Sequence, residues 1–167
     1  MKNKIKLFIT DIDGVWTDGS MYYDQKGNEL KRFNTYDSAG VELLRKISIP
    51  TVIITGEKTE IVKKRAEKLK IKHVYQGVSN KLKIAQKLCD SLSICLEEVA
   101  FIGDDLNDYK LLKAVGLSAC PSNATEKIKS IVDWKLNIKG GDGAYRFFVE
   151  KYLKEIEQLE DCINSII

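Results

Sequence analysis

The sequence predicts an open α/β fold on three observations. Short apolar runs recur, segments of helical spacing separate them, and the polar or acidic residues that end the runs would share one edge of a sheet. The runs lack the in–out alternation of half-exposed strands, as expected for parallel strands covered by helices on both faces. In such a sheet the ligand sits beyond the carboxyl ends of the strands, so Asp11, Thr55 and Asp104, which end three of the runs, fall where a site would form.

KLFIT ahead of Asp11 opens the series. SMYYDQKGNELKRFN then breaks the alternation: β-type residues flank Asp24-Gln25-Lys26-Gly27, so a hairpin from about Ser20 to Phe33 should project from the body. TVIIT before Gly56 is the next strand, followed by a helix striped by Val62, Ala66 and Leu69. HVYQ before Gly77 leads to a second stripe, Leu82, Ala85, Cys89 and Leu92. VAFIG before Asp104 and LSA before Cys120 complete the strands. Val149, Tyr152, Ile156, Leu159, Ile163 and Ile166 recur at helical spacing and predict a C-terminal helix.

The 167 residues match the size of one domain, 1–167, without linker, repeat or low-complexity tract. Hydrophobic residues make up 44% and charged residues 31%; the net charge of +3 is spread out. Lysines interleave with glutamates, as in EKTEIVKKRAEKLK, which describes a solvated helix face and argues against a nucleic-acid partner. The first apolar run is too short for a signal peptide, and none approaches the ~18 residues of a membrane helix. Cys89, Cys95, Cys120 and Cys162 have neither metal-ligand spacing nor disulfide density, which predicts reduced thiols in a cytoplasmic protein.

Asp11-Ile12-Asp13-Gly14 sets two carboxylates at a strand end, with a glycine allowing a tight turn. Taken alone, the pair reads equally well as turn or helix caps. Gly103-Asp104-Asp105-Leu106-Asn107-Asp108 repeats the arrangement with more acids than capping requires, although Asn107 or Asp108 should partly cap a helix. Their mutual repulsion calls for a hard cation, and oxygen-only ligands suit magnesium. Thr55 and Gly56 can hold phosphoryl oxygens, and Lys81 can neutralise charge on a transferring phosphoryl group.

In the order Asp-x-Asp, Thr-Gly, Lys, Gly-Asp-Asp, the pattern becomes specific. The sequence resembles the haloacid dehalogenase superfamily, with DIDGVWTD as motif one, ITG as motif two, Lys81 as motif three and GDDLND as motif four, from about Lys6 to Arg146. The resemblance implies a Rossmann-like fold and a phosphatase in which Asp11 attacks phosphorus and Asp13 is general acid and base. It further implies that Thr55, Gly56 and Lys81 bind phosphate. Mg2+ would be held by Asp11, Asp104 and the Asp13 carbonyl, with Asp105 and Asp108 in support.

No separate cap domain is available, only the hairpin and short helical spacers. The chain thus resembles the capless subgroup that acts on phosphorylated 2-keto-3-deoxy sugar acids, homotetramers in which a neighbouring subunit supplies the lid. Glu57 and Lys68 match the two positions that mark the nine-carbon branch, where the eight-carbon branch carries an arginine after Thr-Gly. The resemblance therefore implies a preference for 2-keto-3-deoxy-D-glycero-D-galacto-nononate 9-phosphate, with 3-deoxy-D-manno-octulosonate 8-phosphate as the alternative. Glu57 complementing a helix start and a solvated Lys68 stay open as plainer readings. Gly140-Gly141-Asp142-Gly143-Ala144-Tyr145-Arg146 matches the subgroup's glycine-rich segment, making Arg146 a candidate active-site or interface contact. From another class, a receiver-like phospho-acceptor signalling domain also uses a strand-end Asp, a Thr or Ser, a Lys and magnesium. It typically keeps its acidic pair near the N-terminus and its phosphorylated Asp on a later strand.

Overall fold

The computed structural model describes residues 4–167; residues 1–3, which begin the charged N-terminal stretch, lie outside the described residues. In chain order the elements are β1 (Leu7–Thr10), β2 (Tyr22–Tyr23), β3 (Glu29–Leu30), α1 (Tyr36–Lys46), β4 (Thr51–Ile54), α2 (Glu60–Lys68), β5 (His73–Tyr75), α3 (Lys81–Leu92), β6 (Val99–Ile102), α4 (Tyr109–Leu112), β7 (Leu117–Cys120), α5 (Glu126–Lys129), β8 (Trp134–Lys135), α6 (Ala144–Glu155) and α7 (Leu159–Asn164). Six of the strands form one parallel sheet in the order β5-β4-β1-β6-β7-β8, and β2 pairs with β3 as the projecting antiparallel hairpin.

β1, β4, β6 and β7 are buried along their whole length, which is why they read as unbroken apolar runs. Their side chains alternate between two cores. Phe8 and Ile53 pack with Leu44, Val62, Phe148 and Tyr152 under α1, α2 and α6. Leu7, Ile9 and Val52 pack with Ala85, Leu111 and Ile128 under α3, α4 and α5. Each Leu, Ile, Val or Phe among them, fully buried, contributes about 1.5–3 kcal/mol. The chain leaves β5 at one end of the sheet and returns beside β1 as β6, so the strand order reverses between β1 and β6. Ligands bind at such a reversal. No helix among the described residues is long and apolar enough to cross a membrane.

The sequence expectation names no stripe for α1, α4 or α5, and four further details differ from it. The hairpin has only two paired residues on each side, and its loop runs from Asp24 to Asn28, whose two backbones bond each other while Asp24 Oδ1 accepts from the N–H groups of Lys26 and Asn28. Leu92 is 41% exposed, and Leu88 takes its place in the core. β8 was not anticipated, because its two residues are too few to show any period. The C-terminal helix is two helices: α6 stops at Ile156, Glu157 adopts a left-handed φ of 57°, and the Gln158 N–H bonds back to the Leu153 carbonyl. The stripe continues across the break because α7 packs on both α1 and α6, burying Cys162, while Ile166 is left exposed.

Candidate active site

The Asp11 N–H bonds to the Ile102 carbonyl at 3.1 Å, which carries the first carboxylate off the end of β1 in line with β6. The chain then turns tightly, the Ile12 carbonyl accepting from the N–H groups of Val15, Trp16 and Thr17. Gly14 makes the turn at φ 81°, and a Cβ there would lie 1.9 Å from Asp104 Oδ2, so both the dihedral and the approach of the Asp104 carboxylate favour glycine. Trp16 locks the turn to the body: its Nε1 donates to Thr10 Oγ1, and its ring stacks on Tyr145 with centroids 5.1 Å apart.

β4 delivers Thr55 and Gly56 on one side, and β6 delivers Asp104 on the other. Asp11, Asp13, Gly14, Thr55, Gly56, Glu57, Asp104, Asp105 and Asn107 line one cleft of about 260 Å³. A roomier groove of about 470 Å³ lies at the opposite sheet edge, between Arg45, Thr51, Lys72 and His73. It has no acidic side chain in its lining, so convergent charge rather than volume identifies the site.

Lys81 is the first residue of α3, yet its side chain is 1% exposed and points back beneath the cleft, 2.7 Å from Asp11 Oδ2 and 2.6 Å from Asp108 Oδ1. Asp108 is wholly buried; its other oxygen accepts from the Asp104 N–H at 2.9 Å and points at the Asp105 N–H at 3.4 Å. One residue thus caps the turn after β6 and holds the lysine.

Asp11, Asp104 and Asp108 each offer an oxygen within 4.8 Å of the others, against the one ammonium. Burial, then the Asp108 charge, push the Asp11 carboxyl up to about 6 although Lys81 opposes them. Burial and the charges of Asp11, Asp108 and Asp105 push Asp104 up to about 8. Asp11 Oδ1 is buried with no partner. An all-oxygen donor set short of positive charge, with a buried oxygen unpaired, fits a hard divalent cation.

Asp13 lies beside this cluster and is held from a direction that sequence patterns did not signal. Lys31, just after β3, places Nζ 2.6 Å from Asp13 Oδ1 and 2.7 Å from Glu57 Oε2. Burial raises the Asp13 carboxyl above its ordinary range, and Lys31 pulls it back. Lys31 is one lysine among many in the sequence, and only the fold of the hairpin brings it here.

The structure brings together Asp11, Asp13, Thr55, Gly56, Glu57, Lys81, Asp104, Asp105 and Asp108, and separates two others. Lys68 ends α2 exposed, and Glu57 pairs with Lys31 instead. Glu57 precedes Thr59, which caps α2, and the acid in the helix's first turn is Glu60. Arg146 lies in the first turn of α6, paired with Glu150 at 2.6 Å and set over the Tyr36 ring, away from the cleft. Asp105 is exposed and spends one oxygen on the Leu106 N–H, acting on Asp104 through its charge. Asn107 lines the cleft next to Gly56, while the capping falls to Asp105 and Asp108.

Comparison with known proteins agrees with this geometry. The model of the haloacid dehalogenase-like hydrolases matches residues 54–148, more than half of the chain. The chain is 42% identical over 163 residues to the 3-deoxy-D-manno-octulosonate 8-phosphate phosphatase KdsC of Salmonella typhi, spanning 98% of this chain and 87% of that one. The crystal structure of the 3-deoxy-D-manno-octulosonate 8-phosphate phosphatase of Yersinia pestis superposes with a TM-score of 0.90 at 39% identity, covering 93% of this chain and 84% of that one. The Moraxella catarrhalis enzyme of the same name, solved with a magnesium ion, a phosphate ion and a KDO molecule, gives a TM-score of 0.93 at 35% identity, covering 98% and 94%. With carboxylates from β1 and β6 meeting a lysine from α3 at the strand-order reversal, and with relatives of this similarity along its length, the chain belongs to the haloacid dehalogenase-like hydrolases.

Proposed function

We propose that this protein is a magnesium-dependent phosphatase, a single catalytic domain over residues 1–167, that hydrolyses a phosphorylated 2-keto-3-deoxy sugar acid. The observation that carries the reading is the buried Lys81 between Asp11 and Asp108 beneath a cleft that also holds Asp13, Thr55 and Asp104. Asp11 attacks phosphorus, and its carboxylate needs no base to activate it. Thr55, Gly56 and Lys81 bind the phosphoryl oxygens. Asp13 gives its proton to the departing sugar oxygen, then takes one from the water that attacks the aspartyl phosphate and releases inorganic phosphate and free Asp11. Asp11, Asp104 and the Asp13 carbonyl would hold Mg2+, with Asp105 and Asp108 in support; the bound ion supplies charge that offsets repulsion between carboxylate and phosphoryl group.

Similarity to the named relatives supports 3-deoxy-D-manno-octulosonate 8-phosphate as the substrate. One feature favours the nine-carbon nononate 9-phosphate instead: Glu57 borders the cleft where an arginine would pair with a sugar carboxylate. Phosphate release from the two compounds, compared as kcat/KM with magnesium and with excess chelator, decides. An advantage for the eight-carbon compound removes the role of Glu57 and leaves the chemistry standing. Turnover that survives chelation removes magnesium, and a phosphorylated Asp11 that is never released would return the reading to a receiver-like domain.

The proposal includes a homotetramer in a cytoplasmic setting. Its support is the hairpin, where Met21, Tyr22, Tyr23 and Leu30 are all at least 40% exposed. A ribbon this short is marginal in water without something to pack against, and the cleft needs a cover to exclude bulk water. The cysteines, all free, match a reducing compartment.

A further inference from the structure

Lys31 is an ammonium surrounded by carboxylates. Its side chain is 1% exposed; besides Asp13 and Glu57, Glu29 Oε1 lies 3.2 Å from Nζ, close enough for attraction. The chain that follows is fastened as well: Arg32 reaches Asp142 at 3.1 Å, and Asn34 Nδ2 donates to the Gly141 carbonyl at 3.2 Å. The lysine is therefore fixed at its backbone and at its head. At Asp13, both donors among the described residues, Lys31 Nζ at 2.6 Å and Thr17 Oγ1 at 3.5 Å, reach the same oxygen, Oδ1. Oδ2 receives none, on a residue that lines the cleft.

We propose that Lys31 is a positioning residue for proton transfer: it grips Asp13 through Oδ1 and so presents Oδ2 to the reacting oxygens. The inference rests on the reading of Asp13 as general acid and base. In the first step an Asp11 oxygen forms a bond to phosphorus, the P–O bond to the sugar breaks, its electron pair goes to the leaving oxygen, and the Oδ2 proton follows. In the second, water forms a bond to phosphorus, its proton passes to Oδ2, and the bond to Asp11 breaks. Lys31 keeps its proton throughout. Proton transfer of this kind needs donor and acceptor within about 2.6–3.2 Å, and a carboxyl free to swing about its rotamers would meet that geometry only part of the time. An anchor for the hairpin alone would be served by Glu57; the ammonium reaches Asp13 as well, at 2.6 Å.

A proton matters more as the leaving group worsens, and this gives the test. Wild type, Asp13→Asn, Lys31→Met and Lys31→Arg are assayed with magnesium on aryl phosphates graded from p-nitrophenyl to phenyl, which share size and lack a sugar. The quantity read is kcat/KM, which reports transfer to Asp11 and not hydrolysis of the intermediate. Lys31→Met should lose roughly tenfold more on phenyl than on p-nitrophenyl phosphate, in the same direction as Asp13→Asn, with Lys31→Arg recovering part of the loss. If Asp13→Asn steepens the dependence and Lys31→Met lowers every substrate equally, the positioning role is wrong. If Asp13→Asn itself shows no dependence, the acid reading beneath it is wrong. Lys31→Met also leaves carboxylates facing one another, so Lys31→Met with Glu57→Gln is measured too. Persistence of the steeper dependence supports the proposal, and its disappearance reduces Lys31 to charge balance.

Discussion

Lys81 stands 2.7 Å from Asp11 and 2.6 Å from Asp108, in a pocket nearly sealed from water. Replacing it with Met would leave those carboxylates, and Asp104 near them, without their ammonium, and removing one partner of a buried pair costs about 3–5 kcal/mol. Lys81→Met should therefore abolish turnover and lower the denaturant midpoint in chelator, with magnesium restoring part of the stability but not the activity. An unchanged midpoint would contradict the pairing. Asp37 is a buried acid outside the cleft, fully enclosed, with Oδ1 accepting from the Arg146 N–H at 3.2 Å. Burial pushes its carboxyl up from 3.8 to about 7, against hydrogen bonds from Arg146 and Tyr145 and the charges of Arg65 and Arg146. The native state then holds a proton that the unfolded chain has released, so stability falls as pH rises from about 4 to about 7 and levels off above. Asp37→Asn cannot titrate; measured against it by thermal unfolding, wild type should lose ground over that window, by up to a few kcal/mol. Asp11, Thr55, Lys81 and Asp104 could be read from the sequence because each follows an apolar run or fills a fixed place between two such runs. Lys31 and Asp37 could not, since one is placed by a hairpin and the other by the crossing of two helices far apart in the chain.

That crossing is the most extensive contact between two elements. Gly40, inside α1, faces α6 so closely that a Cβ would lie 3.0 Å from Arg146 Cα and 3.2 Å from Tyr145 Cδ1. Alanine normally favours a helix interior over glycine by about 1 kcal/mol. Here the neighbours cannot yield: Tyr145 is stacked on Trp16 and its hydroxyl bonds Thr51 at 2.7 Å. Gly40→Ala should thus destabilise by about 1–3 kcal/mol, seen as a lower melting temperature, and a higher one would mean the helices can part. The alternation of strand and helix was legible because burial on both faces leaves a plain apolar signature. The break between α6 and α7 was not, because the residue that turns there is Glu157, not the glycine or proline that would mark a stop. Periodicity alone ran straight through it, since the stripe on either side serves one core.

At the scale of the molecule, exposed Tyr22, Tyr23 and Leu30 on the hairpin lead to an expected sedimentation coefficient of a tetramer at assay concentration. Charged replacements at Tyr23 and Leu30 should shift it toward smaller species and lower activity together; a fully active monomer would contradict the assembly. The sheet order has a different consequence, one of timing. β1 is synthesised first, but its partners are β4 and β6, and the second of these begins only at Val99. A chain still leaving the ribosome therefore carries an apolar strand with one bare edge until Val99–Ile102 has emerged. Bare edges of this kind pair with whatever strand they meet. Placing the first strand at the centre lets β4 and β6 bring residues to either side of Asp11, and it also makes the nascent chain dependent on late arrivals for protection from its neighbours.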